Sequence, residues 1–226
     1  MDYRYFYITW SLLFFLIWLF LFLRRKDLHT EMFFISTIFG LGGALSQKVF
    51  IQDWWKPETI TGTHVGIEDF VIGFSIAGIA AVLYEEIYRL HFRDNSRTKD
   101  SRHGRLFLFS FVIVFLSLFY VLKLSSFYSA IFAYIAGISY ISFYRKDLIW
   151  DSIASGVSML VIGSVVYWGL FLIYPDYIQK FWYLKSNWYS TLFAGVPIAE
   201  YIWFFLTGAF IGPLYEFVRG KKLFHY

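Results

Sequence analysis

Seven apolar runs, at about 5–23, 32–51, 67–88, 106–122, 126–143, 149–174 and 196–218, take up most of this chain. As helix, about 20 such residues cross the hydrocarbon core of a bilayer. Runs of this length cannot be barrel strands, which would be shorter and alternate in polarity. Only 16% of residues are charged, against about 25% in soluble domains. The expected fold is therefore all-α: a polytopic integral membrane protein with about seven transmembrane helices and no separate soluble domain. The first run starts at Tyr5 and ends at Arg24, Arg25 and Lys26. A signal peptide carries its positive charge before the apolar run and small residues after it, so this segment is expected to be a retained helix.

The placement of Lys and Arg sets the expected orientation. Arg24, Arg25, Lys26, Arg89, Arg93, Arg97, Lys99, Arg102, Arg105, Arg145, Lys146, Arg219, Lys221 and Lys222 fall on one side, fourteen of the twenty in the chain. Arg4, Lys48, Lys56, Lys123, Lys180 and Lys185 fall on the other. The positive-inside rule puts the N-terminus outside and the C-terminus in the cytoplasm, across the cell membrane. Seven crossings satisfy that split, and six or eight would mix the two sets. The fourth helix is the weakest, since little besides Lys123 separates it from the fifth. The polar stretch from Arg89 to Arg105 reads as a cytoplasmic linker.

Charged words recur along the chain. Arg25-Lys26-Asp27-Leu28 returns 120 residues later as Arg145-Lys146-Asp147-Leu148. Ile67-Glu68-Asp69-Phe70 returns 131 residues later as Ile198-Ala199-Glu200-Tyr201. At that second offset Phe74 matches Phe205, and Leu83-Tyr84-Glu85 matches Leu214-Tyr215-Glu216. The expected organisation is two parallel three-helix repeats, helices 1–3 and 5–7, joined by helix 4 as connector. That gives a first half at 1–90, a linker and connector at 91–125, and a second half at 126–226. The extra residues of the second half are expected in the outer loop from Pro175 to Gly195.

Several chemistries are excluded. Without cysteine there is no disulfide, thiolate nucleophile, iron–sulfur cluster or cysteine-bound zinc. Neither GxGxxG nor a P-loop occurs, so no flavin, nicotinamide or nucleotide fingerprint is present. No pair of Asp-rich motifs exists to hold magnesium and a diphosphate, and the last helix has no Lys for a retinal Schiff base. His29, His91, His103 and His225 fall in cytoplasmic loops or the tail, leaving only His64 on the outer side. No cofactor and no metal site is expected. The net charge of +4 reflects topogenic Lys and Arg, and nucleic acid is not an expected partner.

Ionisable groups within or at the mouth of membrane helices are functional candidates. Glu68 and Asp69 open the third helix, Glu200 opens the seventh, and Glu85 and Glu216 close them. Sixteen residues separate Asp69 from Glu85, roughly 24 Å of helix, so the two sets lie near opposite faces. Glu85, Glu86 and Glu216 are expected as interfacial carboxylates paired with Arg89, Arg219 or the linker. Glu68, Asp69 and Glu200 have two readings: carboxylates favoured at helix starts by the macrodipole, or an acid–base group gathered from both halves. The nearby aromatics likewise read as belt anchors or as faces that stabilise a carbocation. They are Trp54, Trp55, Trp182, Trp188, Trp203, Phe204 and Phe205.

Gly66-Ile67-Glu68-Asp69-Phe70 and Pro197-Ile198-Ala199-Glu200-Tyr201 resemble the two Pro-x-Glu-(Glu/Asp) motifs of the membrane lycopene β-cyclases of the heterodimeric or fused type. Asp53-Trp54 and the Leu-Tyr-Glu endings are also similar to that family, so the resemblance spans both halves. Gly66 replaces the first Pro, and Ala199 replaces the first Glu of the second motif, which removes one carboxylate. The resemblance implies a small helical enzyme that closes the ψ-ends of lycopene into β-rings, without intrinsic flavin and without net redox change. Glu68, Asp69 and Glu200 would be catalytic, and Trp54, Trp55, Phe70, Phe74, Tyr201, Trp203 and Phe205 would line the site of a hydrophobic polyene. Alternatives are a polyene hydratase, a cyclase of elongated carotenoids, or a non-catalytic carotenoid- or lipid-binding membrane protein. Reporter fusions after residues 60 and 98 test the charge argument: they should report opposite sides, and the same side for both would contradict it.

Overall fold

The computed structural model describes residues 2–92, 102–221 and 223–224. Most of the expected polar linker, from Arg93 to Ser101, lies outside the described residues, as do Lys222 and His225. The described chain is nearly all-α. The long helices are α1 (Arg4–Arg24), α2 (His29–Phe50), α3 (Ile67–Ala80), α5 (Arg102–Tyr120), α6 (Ser126–Tyr144), α7 (Ile149–Phe171) and α9 (Ile198–Ile211). Shorter ones are α4 (Leu83–Tyr88), α8 (Tyr177–Phe181) and α10 (Leu214–Arg219). Single 3-10 turns, Lys26–Leu28 and Lys146–Leu148, lead into α2 and α7. Two small antiparallel pairs complete the fold: β1 (His91–Phe92) with β4 (Leu223–Phe224), and β2 (Leu192–Phe193) with β3 (Val196–Pro197).

Six helical segments among the described residues are long and apolar enough to cross a membrane: Arg4–Arg24, Lys26–Phe50, Ile67–Tyr88, Ser126–Tyr144, Lys146–Phe171 and Ile198–Arg219. The fourth expected run lies in α5, whose described apolar part is Leu106–Tyr120, about 22 Å of helix.

Two spans form the centre. Of Ile67–Tyr88 and Ile198–Arg219, 67% and 72% is buried, whereas the other four are 28–39% buried. Small residues permit this close packing. α2 meets α3 at Gly43 and Gly73, where a Cβ on Gly73 would stand 2.6 Å from the Phe39 carbonyl oxygen. In the other half Gly156 and Gly208 bring α7 against α9, and Gly163 receives the face of the Phe204 ring. Such approach between backbones is the usual basis of helix association in lipid. The outward faces carry Leu16, Phe20, Leu45, Phe109, Phe143, Trp150 and Val161, all exposed, as a lipid-facing surface requires.

Both central spans are interrupted, at Ala81-Val82 and at Gly212-Pro213, just before the Leu-Tyr-Glu words. Pro213 cannot donate to the helix ladder, which accounts for the second break. Both resume as one short helix ending in a left-handed residue, Arg89 (φ 54°) or Gly220 (φ 67°). Arg25 donates to Asp27 at 2.8 Å and to the Leu90 carbonyl at 2.7 Å. Arg145 does the same with Asp147 at 2.7 Å and the Lys221 carbonyl at 3.0 Å. Each guanidinium thus ties the turn between two outer helices to the end of a central span.

The expected pairing of Glu85 and Glu216 with surface arginines is corrected here. Both side chains are fully buried, just after the interruptions, and have no hydrogen-bond partner outside this pair. Glu86 points outward, and its partners are Arg24 at 2.6 Å and Arg25 at 3.4 Å. The packing argument predicts that Gly73→Ala costs about 1–3 kcal/mol through overpacking. Gly169→Ala, where a Cβ meets nothing within 4 Å, should not destabilise. Thermal unfolding of the two variants in detergent checks this, and equal melting temperatures would contradict it.

Candidate functional site

At the Lys48/Lys56 side of the bundle, α3 and α9 each begin with a buried carboxyl. Asp69 lies in the first turn of α3. Its Oδ2 accepts from the Gly66 amide at 2.7 Å, and its Oδ1 accepts from the Tyr7 hydroxyl of α1 at 2.6 Å. Glu200 sits at the corresponding place in α9 and is only 5% exposed. It accepts three bonds from side chains: Trp54 Nε1 at 2.7 Å, Trp182 Nε1 at 2.9 Å and Tyr167 OH at 2.9 Å. Trp and Tyr suit such places, since each buries a large apolar body and keeps one donor for a partner.

The two carboxyls are joined by a wall of rings. Trp10 lies 5.9 Å from Tyr7, 5.8 Å from Trp55 and 5.4 Å from Tyr167. Trp55 packs edge-on against Tyr7 at 4.9 Å and lies 4.8 Å from Trp182. Tyr7 and Tyr167, the hydroxyl partners of Asp69 and Glu200, therefore stand on either side of one indole. That indole's Nε1 is buried and has no partner. Phe14 and Phe204 stack below, 5.9 Å apart.

Short segments set this geometry. Lys56 N donates to the Phe181 carbonyl at 2.7 Å, and Tyr183 N donates to the Trp54 carbonyl at 2.8 Å. This clasp between the two outer loops places Trp54, Trp55 and Trp182 over the helix starts. Asp53 accepts from the Ser126 amide at 3.0 Å and so caps α6. Outside the spans, Tyr177 stacks on Phe6 at 3.5 Å. Burial, followed by the nearby Glu58 and Glu68 carboxylates, pushes its phenol well above the ordinary value.

Glu68 is buried but turned elsewhere. Its Oε1 accepts from the Ile60 amide at 2.6 Å, and its Oε2 lies against Gly66, buried without a hydrogen-bond partner. It holds the loop before α3. Of the seven aromatics expected to line the site, Trp54 and Trp55 do so. Phe70 fills the space over Gly40, and Phe74 packs on Trp18 at 4.9 Å. Tyr201 donates to the Phe193 carbonyl at 2.9 Å, Trp203 lies edge-on to Phe204, and Phe205 covers Gly156. These five are on other faces of α3 and α9. Tyr7, Trp10 and Tyr167 were not singled out from the sequence. A hydroxyl in the middle of an apolar run was the available signal, since a buried phenol needs a partner.

Comparisons with protein-family models, with curated proteins and with solved structures each find no match to the chain. The Tyr7–Asp69 contact can be tested by a double-mutant cycle on Tyr7→Phe and Asp69→Asn. Buried hydrogen bonds contribute about 1 kcal/mol net, so a coupling of that order is expected in unfolding free energy. Additivity within about 0.5 kcal/mol would contradict the contact.

Proposed function

We propose that this chain is an acid–base enzyme of the membrane that closes the end of a polyene, lycopene or a close relative, into a ring without redox change. The observation that carries this reading is the pair Asp69 and Glu200. They are two buried carboxyls at the starts of the two central helices, linked by the rings of Tyr7, Trp10, Trp55, Tyr167 and Trp182. Ring closure needs those parts. An acid protonates the terminal double bond, an internal double bond attacks the cation to form the ring, and a base removes a proton. One proton enters and one leaves. Aromatic faces stabilise the intermediate cation. Asp69, with fewer donors, takes the acid role, and Glu200, with three donors already aimed at it, accepts the proton. Glu68 positions the loop over them. The polyene end enters by parting the clasp between the outer loops.

We further propose that the chain is a tandem duplication with seven crossings, α5 being the connecting one, in the cell membrane with its N-terminus outside. The paired 3-10 turns, the paired interruptions and the matching bonds from Arg25 to Leu90 and Arg145 to Lys221 support the duplication. The charge split supports the orientation.

A second reading has its own observation. A cleft lined by Asp53, Trp54, Ser125, Trp182 and Ser190 has about 10 Å³ of space, near the room one water needs. Water there, taken up by the cation, would make the enzyme a hydratase using the same acid. Expression in lycopene-accumulating cells with pigment analysis distinguishes the two, since the products are a hydrocarbon β-ring and a tertiary alcohol. Asp69→Asn and Glu200→Gln should each lower conversion by about 10²–10⁴-fold at matched membrane expression, with Glu86→Gln unaffected. Unchanged conversion in both amide variants would refute the site. An inactive parent would favour a non-catalytic carotenoid- or lipid-binding protein.

A further inference from the structure

At the opposite end of the bundle the structure gathers carboxyl groups that, among the described residues, no side-chain cation bridges. Glu85 and Glu216 follow the interruptions of the two central spans, and Asp151 lies in the first turn of α7. One carboxylate oxygen from each lies within 4.8 Å of the others. All three side chains are at most 1% exposed. Ser155 donates to Asp151 Oδ1 at 3.1 Å. Asp151 Oδ2 has no hydrogen-bond partner, and Glu85 and Glu216 have none beyond their contact with each other.

A fourth group points to what completes this triangle. Glu31, in the first turn of α2 at the place matching Asp151, is 1% exposed, and neither oxygen has a partner. It lies within electrostatic reach of Glu216, Glu85 and Asp151, and also of Arg25. The neighbouring cations are committed elsewhere. Arg25 is held by Asp27, Glu86 and the Leu90 carbonyl. Arg145 is held by Asp147 and the carbonyls of Glu216 and Lys221. Among the described residues no side-chain cation bridges to any of the four carboxyls.

We propose that Glu85, Asp151 and Glu216, with the buried Glu31 beside them, bind one hard divalent cation of the Mg²⁺, Mn²⁺ or Ca²⁺ class, pinning the two central helices to α7. Oxygen-only donors select such ions over zinc or copper. The triangle has the right size: two oxygens on opposite sides of such an ion are about 4.1–5.0 Å apart, and adjacent ones are closer. Gly212 makes room for the approach, since a Cβ there would stand 2.9 Å from Asp151 Oδ1. Uncompensated charge at this depth is costly, and a divalent ion offsets two of these carboxylate charges, beside the nearby Arg25 and Arg145. This site is separate from the outer carboxyls, so it stands or falls independently of ring formation.

The test uses full-length protein purified in detergent, stripped with EDTA and titrated with Mn²⁺, with bound ion counted by electron paramagnetic resonance and by elemental analysis. One Mn²⁺ per chain is expected, competed by Mg²⁺ or Ca²⁺ and accompanied by a rise in Tm. Glu216→Gln and Asp151→Asn should weaken binding by about tenfold or more, as loss of a ligand charge does. Glu86→Gln, at the surface ion pair, should retain it. If the amide variants fail to fold, the parent titration still decides. No saturable Mn²⁺ binding by the parent would overturn the proposal in favour of carboxyls that share protons. Binding unaffected in folded amide variants would also overturn it.

Discussion

Lipid offers no partner to a polar group, so every buried carboxyl in this bundle has to be answered from within the protein or by something bound to it. The two central helices carry such groups at both ends, and the rest of the structure is arranged around that obligation. At one end the outer loops fold back, and three tryptophans and two tyrosines close over Asp69 and Glu200. At the other end the helices break, Glu85 and Glu216 turn inward, and Glu31 and Asp151 meet them. The glycine contacts of α2 with α3 and of α7 with α9 let four helices come near enough for both gatherings. Removing the close packing would separate the carboxyls from their partners before it exposed much apolar surface.

The two ends differ in how the obligation is met, and that difference divides the chemistry. Glu200 meets three neutral donors, which can release a carboxyl and take it back as a substrate enters. Indoles and phenols also present π-faces, so the groups that hold the carboxyls are those that would face a cation. The carboxyls at the other end meet mostly each other. An arrangement of that kind suits a tightly held ion that stays in place, which is a structural task. The Arg25 and Arg145 clamps lie close by, each tying an outer turn to the end of a central span.

The helices were legible because lipid-spanning length leaves a plain mark: the boundaries of α1, α6 and α7 fall within a few residues of the apolar runs. α5, over the run expected at 106–122, was legible as a helix from the same mark. Asp69 and Glu200 could be picked out because each is an acid among apolar residues at a helix start. Of their partners Trp54 and Trp182 stood out in the outer loops, but Tyr7 and Tyr167 did not, since they sit in runs where aromatics are common and only packing separates a pocket wall from a lipid-facing ring. Glu85 and Glu216 were misread as surface ion pairs because the adjacent Arg89 and Arg219 offered an obvious partner. What sequence spacing did not convey was the break at Ala81-Val82 and Gly212-Pro213, after which both acids are buried. Glu31 and Asp151 looked like ordinary first-turn carboxylates, and only the tertiary fold brings positions 31, 85, 151 and 216 together.

The central claim is that a carboxyl of this protein gives its proton to a carbon of the substrate. Purified protein incubated with lycopene in D₂O tests it through the mass of the product. Each ring formed should carry one deuterium at a carbon that was part of the terminal double bond, because a carboxyl exchanges with solvent before it donates. A cyclised product without deuterium would contradict the account.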